Sequence, residues 1–424
     1  MKTFLRYASL NTLGMLGLSL YILADTFFIA ADMGADGLAA LNLAIPVYSL
    51  IHGMGLLLGA GGATRYTFLK EQGRAKDADA AFTHSLFSAW GCGLICLLMG
   101  LTLSRTFAGC LGAEGDVLLM TDTYLKVILL FAPGFMTNQV MLAFVRNDGG
   151  PQFALWGMLA GSFGNIILDY VFIFPLGMGI LGAVIATGLA PLISLAVLSP
   201  FFLKKRNTFS LCRCRPALKT LRRITALGLP SLITELSSAV VMFLFNALML
   251  SLCGSTGVAA YGVVANLALV VSALYTGVAQ GMQPLASRAY SRGETTRPLL
   301  RCGLGTVLTL SALIYTALFL NSEGAASLFN SQGNAALQAL AVQGLQLYFI
   351  GCPFAGCNIL FSLYFPAVDR PAQGQTASLM RTLLLIPFAF AGASLWGVTG
   401  LWLSFPLAEA ATLCVSCALF KKST

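Results

Sequence analysis

Runs of about 20 apolar residues, separated by short polar turns, recur from one end of this chain to the other. A hydrocarbon layer about 30 Å thick needs roughly that much helix to cross it. The core of a soluble protein of 424 residues has no use for so many such runs. The pattern predicts twelve spans, near 7–31, 42–68, 82–104, 118–145, 152–174, 179–203, 222–252, 257–288, 299–320, 337–365, 373–395 and 398–420. Six of them precede the longest polar stretch and six follow it. The expected architecture is an all-α membrane protein of twelve transmembrane helices in two six-helix lobes. The lobes are 1–203 and 224–424, joined by a basic linker, 204–223, long enough to let two bundles move separately.

The polar punctuation repeats at an offset of 220 residues. GADGLAAL from Gly34 becomes GSTGVAAY from Gly254, with Gly34, Gly37, Ala39 and Ala40 meeting Gly254, Gly257, Ala259 and Ala260. Gly61, Gly73, Pro133, Asn138 and Pro151 then meet Gly281, Gly293, Pro353, Asn358 and Pro371 without a gap. A constant offset over more than a hundred residues marks two copies of one unit. In a very apolar chain, such a duplication points to a transporter built from pseudosymmetric halves.

Composition strengthens the membrane reading: 57% of residues are hydrophobic and 10% charged, against about 25% charged in soluble domains. The net charge of +9 would suit a nucleic-acid partner were it not for its placement. With the amino terminus inside and sides alternating, only Arg105 and Lys126 of 25 basic residues fall near the outer face. Lys204, Lys205, Arg206, Arg213, Arg215, Lys219, Arg222 and Arg223 cluster between the copies. That is the positive-inside pattern, so the basic balance reports topology and anionic lipid contact. It predicts a multi-pass protein of the inner (plasma) membrane with both termini cytoplasmic, and no nucleic-acid partner. Lys2 and Arg6 before an apolar run resemble a signal peptide, but the run continues past Asp25 without a cleavage motif, so an uncleaved first span is expected. Eleven scattered cysteines, including Cys414 and Cys417 on an apolar helix, read as packing thiols, and Cys212 and Cys214 as reduced thiols of the linker.

Chemistry should lie where charge is costly. Only Asp25, Asp169, Glu235 and Glu409 fall well inside spans, where an acid costs at least ~2.5 kcal/mol and usually faces a cavity. Tyr21 and Asp25 are four residues apart and share a helix face, as do Asn165 and Asp169. With Thr187 of the sixth span they could converge on one small cation, Na⁺ on Asp25, Asn165 and Asp169, or a proton shared by the two carboxylates. The competing reading is that each acid hydrogen-bonds a neighbouring helix. Glu409, beside Pro406, reads equally as a structural cap and as a transport residue. In the second copy Asn246, Asn266, Gln280 and Gln283 offer a polar lining or interhelical hydrogen bonds. Met282, Tyr275 and Phe243 are candidates for a promiscuous pocket, although such residues on apolar helices more often pack, and His52 reads as a packing histidine rather than a proton relay.

The segments YILADTFFIAADMGADGLAALNLAIP, GLPSLITELSSAVVMFLFN, GVAAYGVVAN and GVAQGMQPLASRAY resemble the multidrug and toxic compound extrusion (MATE) family, in its DinF- and MepA-like bacterial branch. The resemblance covers nearly the whole chain. It implies two lobes facing each other across a V-shaped cleft, and secondary active export of drug-like, often cationic, compounds in exchange for H⁺ or Na⁺. It also implies a working monomer without a cofactor. Carried over by position, the family's amino-lobe cation site matches Tyr21, Asp25, Asn165, Asp169 and Thr187, and its seventh-helix acid matches Glu235. Some members also carry an acid in the tenth helix; here that span offers only Cys357 and Asn358. A two-acid site in the carboxy-terminal lobe is therefore not expected, and Glu235 should act alone, as a substrate counter-charge or a lone proton carrier.

The alternative within the same superfamily is a flippase or exporter for lipid-linked saccharides or metabolites. The spans carry acids and almost no interior bases, which argues against that anionic cargo. No H-E-x-x-H, phosphate-binding loop or G-x-G-D string occurs. Zinc hydrolysis, ATP-driven transport and intramembrane aspartyl proteolysis are thereby excluded, and the chain is not expected to be an enzyme.

Overall fold

The computed structural model describes residues 2–215, 217–330 and 334–422. The outer ends of the expected lobes (Met1, Ser423 and Thr424), Ser331, Gln332 and Gly333 in the second lobe, and Pro216 in the linker lie outside the described residues. All regular secondary structure among the described residues is helical. Twelve membrane-crossing segments follow one another: α1 (Lys2–Gly34), α2 (Asp36–Glu71), α3 (Ala75–Cys110), α4 (Gly115–Leu130 with Ala132–Asn147), α5 (Pro151–Ile173), α6 (Gly179–Leu203), α7 (218–253), α8 (255–291), α9 (Arg297–Leu320), α10 (Ala335–Ala367), α11 (371–396) and α12 (398–421). Continuous helix from Leu218 to Ser291 covers 74 residues. At 1.5 Å per residue that is about 110 Å, far longer than a bilayer core, so α7 and α8 must be separate crossings.

Glycine makes the turns possible. Gly34 and Gly254 adopt φ of 59° and 63°, Gly73 and Gly293 of 73° and 71°, and Gly177 and Gly397 of 61° and 57°. Each pair keeps the offset of 220, so the repeat is carried by the backbone as well as the sequence. Side chains are disfavoured in this region of φ, which confines these sharp returns to glycine. Proline supplies the other breaks. α4 bends by 48° just before Pro133, and α10 passes through a 3₁₀ turn, Phe349–Gly351, just before Pro353.

Two cores result. One gathers residues of α1–α6 with Phe209 and Ile224; the other gathers α7–α12 with Phe4 and Ala8 of α1. The starts of α1 and α7 are thus exchanged between halves. They cross where glycine removes all bulk. A Cβ on Gly228 would lie 1.8 Å from the Leu57 carbonyl oxygen, and one on Gly61 would lie 2.1 Å from that of Ile224. A Cβ on Gly281 would lie 2.7 Å from Ala8 Cα, and one on Gly277 would lie 2.4 Å from Thr12 Cα. The α2–α7 and α8–α1 crossings are related by the same offset.

The connection between halves differs from the expected slack linker. α7 already begins at Leu218, and residues 208–215 with Ala217 form a strap fastened to the amino-terminal half. Asp148 accepts bonds from Tyr66 Oη (2.6 Å), Lys70 Nζ (2.6 Å) and the Thr208 amide (2.7 Å). Asp79 accepts from the Ser210 amide and hydroxyl, both at 2.9 Å. The Cys212 amide donates to Thr83 Oγ1 (3.1 Å) and the Ala217 amide to His84 Nε2 (3.0 Å). Phe209 is buried among Tyr66, Phe82, Phe144 and Phe202. Burying its ring alone contributes on the order of 2 kcal/mol. The strap is held because its polar side chains answer acids that lie on the amino-terminal half.

Candidate functional site

A cavity of about 350 Å³ lies between the halves, within the range that encloses drug-sized ligands. Tyr21, Tyr48 and His52 form part of its amino-side wall, and Glu235, Tyr275, Arg381 and Glu409 part of the opposite one. Toward the strap it is shut. Arg146 Nη1 donates to Gln280 Oε1 (2.6 Å), Gln283 Nε2 to Thr64 Oγ1 (2.9 Å) and Arg292 Nε to Glu71 (2.7 Å). Arg288 donates to the Asn147 carbonyl. Gln280 and Gln283, two candidates for substrate contact, thus join the halves at the cavity floor.

Behind the amino-side wall lies a second polar group. Asp25, Asn165, Asp169 and Thr187 are all buried, Asp169 and Asn165 with no exposed surface. Asn165 Nδ2 donates to Thr187 Oγ1 at 3.4 Å, and Asp25 lies within electrostatic reach of Asp169. Tyr124 faces Thr187 and both acids. Tyr21 turns to the cavity, where its hydroxyl meets that of Tyr48 at 2.7 Å. Asp25 Oδ1, both Asp169 oxygens and Asn165 Oδ1 are buried without a hydrogen-bond partner. More than nine in ten buried polar groups are satisfied in folded proteins. Ionised carboxylates are acceptors only, so four orphaned oxygens in one place call for a proton or a small hard cation. Among the described residues no group of three His, Cys, Asp or Glu gathers as a transition-metal site would require.

Glu235 is not alone. His52 Nδ1 stands 3.2 Å from its carboxylate across the halves, without hydrogen-bond geometry, and stacks on Tyr48 with ring centroids 5.9 Å apart. The Glu235 side chain keeps 30% of its surface exposed, so it can meet a ligand. Glu409 is 4% exposed. It accepts from Asn358 Nδ2 (2.7 Å) and Arg381 Nε (2.9 Å), while Ser416 closes on Asn358 at 3.3 Å. The second half therefore carries an acid–base cluster, and its carboxylate is already neutralised.

Other expected contacts fall elsewhere. Met282 is fully buried in the core of the second half, its sulfur against Gly303. Asn246 and Asn266 are partly exposed but stand outside the cavity wall, and Phe243 points to the outer surface with 77% exposure. Tyr275 reaches the wall with its ring while its hydroxyl bonds Ser311 inside the helix bundle (2.7 Å). The expectation of almost no interior bases also needs correction: Arg146 and Arg381 both line the cavity. Arg381 lies inside a predicted span and Arg146 one residue past another, a signal that weighing only the acids overlooked.

The chain matches the MatE family model over residues 12–171 and 230–391, one stretch in each half. It is 26% identical to the multidrug export protein MepA of Staphylococcus saprophyticus and 25% to that of Staphylococcus aureus strain MRSA252, each over 99% of this chain and 92% of the relative. Its fold superposes with a TM-score of 0.93 on a MOP superfamily transporter from Pyrococcus furiosus, at 22% identity over 100% of this chain and 95% of that one. An outward-facing multidrug resistance MATE transporter gives the same TM-score at 23% identity, with the same coverage. With both copies of its repeat matched and the twelve-helix fold shared, the chain belongs to the MatE family and is a multi-pass membrane transporter rather than an enzyme.

Proposed function

We propose that this chain is a secondary active multidrug exporter that extrudes amphipathic, frequently cationic organic compounds in exchange for H⁺ or Na⁺. The observation that carries the reading is the pair of buried, unpartnered carboxylates, Asp25 and Asp169, one wall away from a drug-sized cavity. Tyr21, Asn165 and Thr187 complete the coupling group, and Asp25, Asn165 and Asp169 would supply the oxygens if the ion is Na⁺. Neutralising this group by an ion changes what the amino-terminal half must keep buried. An ion that favours one arrangement of the halves and a substrate that favours the other are then linked. Glu235, on the cavity wall, is the counter-charge for a cationic cargo.

By the positive-inside rule, the basic strap and the α2–α3 and α8–α9 turns, with Arg74 and Arg292, support a cytoplasmic side for the shut face, with the cavity opening outward. In that orientation both termini lie on the cytoplasmic side of the inner membrane. That the relative MepA is a multidrug export protein supports this reading. The flippase alternative gains from Arg146 and Arg381 on the wall, but Arg381 is neutralised by Glu409 and a space of about 350 Å³ suits one drug-sized body.

The test is efflux of a fluorescent organic cation from vesicles under separately imposed Na⁺ and pH gradients. One gradient should drive efflux, and Asp25→Asn should abolish it in protein that remains folded. Export undiminished in Asp25→Asn would overturn the coupling assignment.

A further inference from the structure

Four fixed charges line the cavity, and three have an ionisable partner at hand. Arg381 and Glu409 hold each other, and Glu235 lies against His52. Arg146 has no acid within ion-pair distance among the described residues. It is 5% exposed, and its Nη1 donates to two neutral amide oxygens, Gln280 Oε1 at 2.6 Å and Asn11 Oδ1 at 3.0 Å. Its Nε is buried and has no partner. The acids nearby are committed elsewhere: Asp148 to Tyr66, Lys70 and Thr208, Glu71 to Arg288 and Arg292. A guanidinium does not lose its proton at neutral pH, and a buried charge without a counter-charge is strongly unfavourable. In membrane proteins such a charge is kept where it meets water or a ligand.

We infer that Arg146 anchors an anion subsite at the floor of the cavity, one that takes a carboxylate or a comparably small anion. Asn11 and Gln280 hold the Nη1 corner of the fork, whereas the enclosed Nε donor is unmet, so a ligand engages it as the side chain swings into the cavity, toward the edge-on geometry in which guanidinium recognises carboxylate. Gln280 is the repeat counterpart of Ala60 in α2, whereas Glu235 lies at the level of His52. Eight residues of helix place the positive pole about 12 Å deeper than the negative one. The cavity is therefore bipolar along its length. The anion is either the carboxylate of an amphoteric cargo or a free anion held beneath a cationic one. Its place in transport rests on the export reading, whereas the subsite itself can be measured without any gradient.

The experiment is calorimetric titration of the purified full-length protein in chloride-free Hepes, with benzoate and with benzyltrimethylammonium as probes. Benzoate should bind the wild type and bind at least tenfold more weakly to Arg146→Gln. Arg146→Lys should retain most of the affinity. Gln280→Glu keeps the hydrogen bond but supplies an internal counter-charge, so it too should lose benzoate; it covers the case in which Arg146→Gln does not fold. Benzyltrimethylammonium binding should not weaken in any variant. Absence of benzoate binding in the wild type, or equal binding in both charge-altering variants, would overturn the subsite. Chloride that competes with benzoate and speeds dye efflux only when Arg146 is present would assign a free anion. No chloride competition, with an Arg146-dependent preference for an amphoteric aromatic probe over its methyl ester, would assign the cargo's own carboxylate. Benzoate binding without dye efflux would refute the export reading and leave the subsite standing.

Discussion

Substituting Gly228 by Ala should prise open the shut face. Its new Cβ would lie 1.8 Å from the Leu57 carbonyl oxygen, and 3.4 Å is the lower edge of an ordinary contact, so α7 must retreat from α2 by about 1.6 Å. The Leu57 oxygen is backbone and cannot turn aside. Because α7 and α8 are packed into one core and move together, a shift of that size carries the Arg146–Gln280 bond (2.6 Å) and the Gln283–Thr64 bond (2.9 Å) beyond hydrogen-bonding distance. The first involves a charge, worth about 1.5–3 kcal/mol, and the second is neutral, worth about 0.5–1.5 kcal/mol. A loss of about 3 kcal/mol is on the order of a hundredfold in the ratio of shut to open molecules. Helix propensity acts in the opposite sense, since Ala is better than Gly by about 1 kcal/mol in a helix interior. Gly262→Ala, where an added Cβ meets nothing within 4 Å, controls for it. Spin labels at Lys76→Cys and Glu294→Cys, in a cysteine-free background, would report the distance across this face by double electron–electron resonance. The expected result is a new, longer distance in Gly228→Ala and none in Gly262→Ala. An unchanged distance distribution with unchanged thermal stability would refute the reasoning.

Three further outcomes follow from polar clusters away from the crossing. Asp148→Asn should release the strap, because charge-assisted bonds from Lys70, Tyr66 and the Thr208 amide weaken together. A cost of about 3 kcal/mol should speed tryptic cleavage after Arg213 on the order of a hundredfold where cleavage tracks opening. Glu409→Gln leaves the Arg381 charge uncompensated at a largely buried site and should cost about 3–5 kcal/mol in thermal unfolding, whereas joint replacement of Arg381 and Glu409 by Met and Leu should recover most of it. Cys214 holds its proton above the ordinary thiol range, through burial first and the charge of Cys212 second. Its alkylation, followed by mass spectrometry, should rise at higher pH than the midpoint of about 8.5 of a free thiol. Because the docked strap binds this proton more tightly than the released strap, docking is strongest below that pH and weakens as pH rises through it.

The helices were legible because lipid leaves little choice. A run such as 179–203 can satisfy its backbone in hydrocarbon only as a helix, and the structure has Gly179–Leu203. Glycine at a constant offset marked the returns at Gly34 and Gly254. The acids Asp25 and Asp169 stood out because nothing cheap explains a carboxylate in a span, and their i,i+4 companions fell on the same faces. Arg146 and Arg381 were hidden because basic residues were read for topology alone. Tyr48 and Tyr124 were hidden because tyrosine in an apolar helix is unremarkable until its partner is known. Met282 was drawn toward the wall by its neighbours Gln280 and Gln283, whereas its own direction on the helix turns it into the core. The roles of Gln280 and Gln283 depend on Arg146 and Thr64, residues from the other half, and no local pattern encodes such a meeting. His52 and Glu235 are a similar case, a pair formed only when the halves close.

The fastened strap has a mechanical meaning. With Thr208, Ser210, Cys212 and Ala217 each tied to the amino-terminal half, the chain enters α7 at a fixed point beside α3. Covalent slack between the halves is reduced to almost nothing, and the carboxy-terminal half hangs from a pivot at its edge. α7 spans residues 218–253, a rod of about 54 Å at 1.5 Å per residue. A tilt of about 10° at its base sweeps the far end through roughly 9 Å on a rod of that length. A lever with such gain turns displacements of a fraction of an ångström beside α3 into opening or closing of the far mouth, and the strap is its fulcrum.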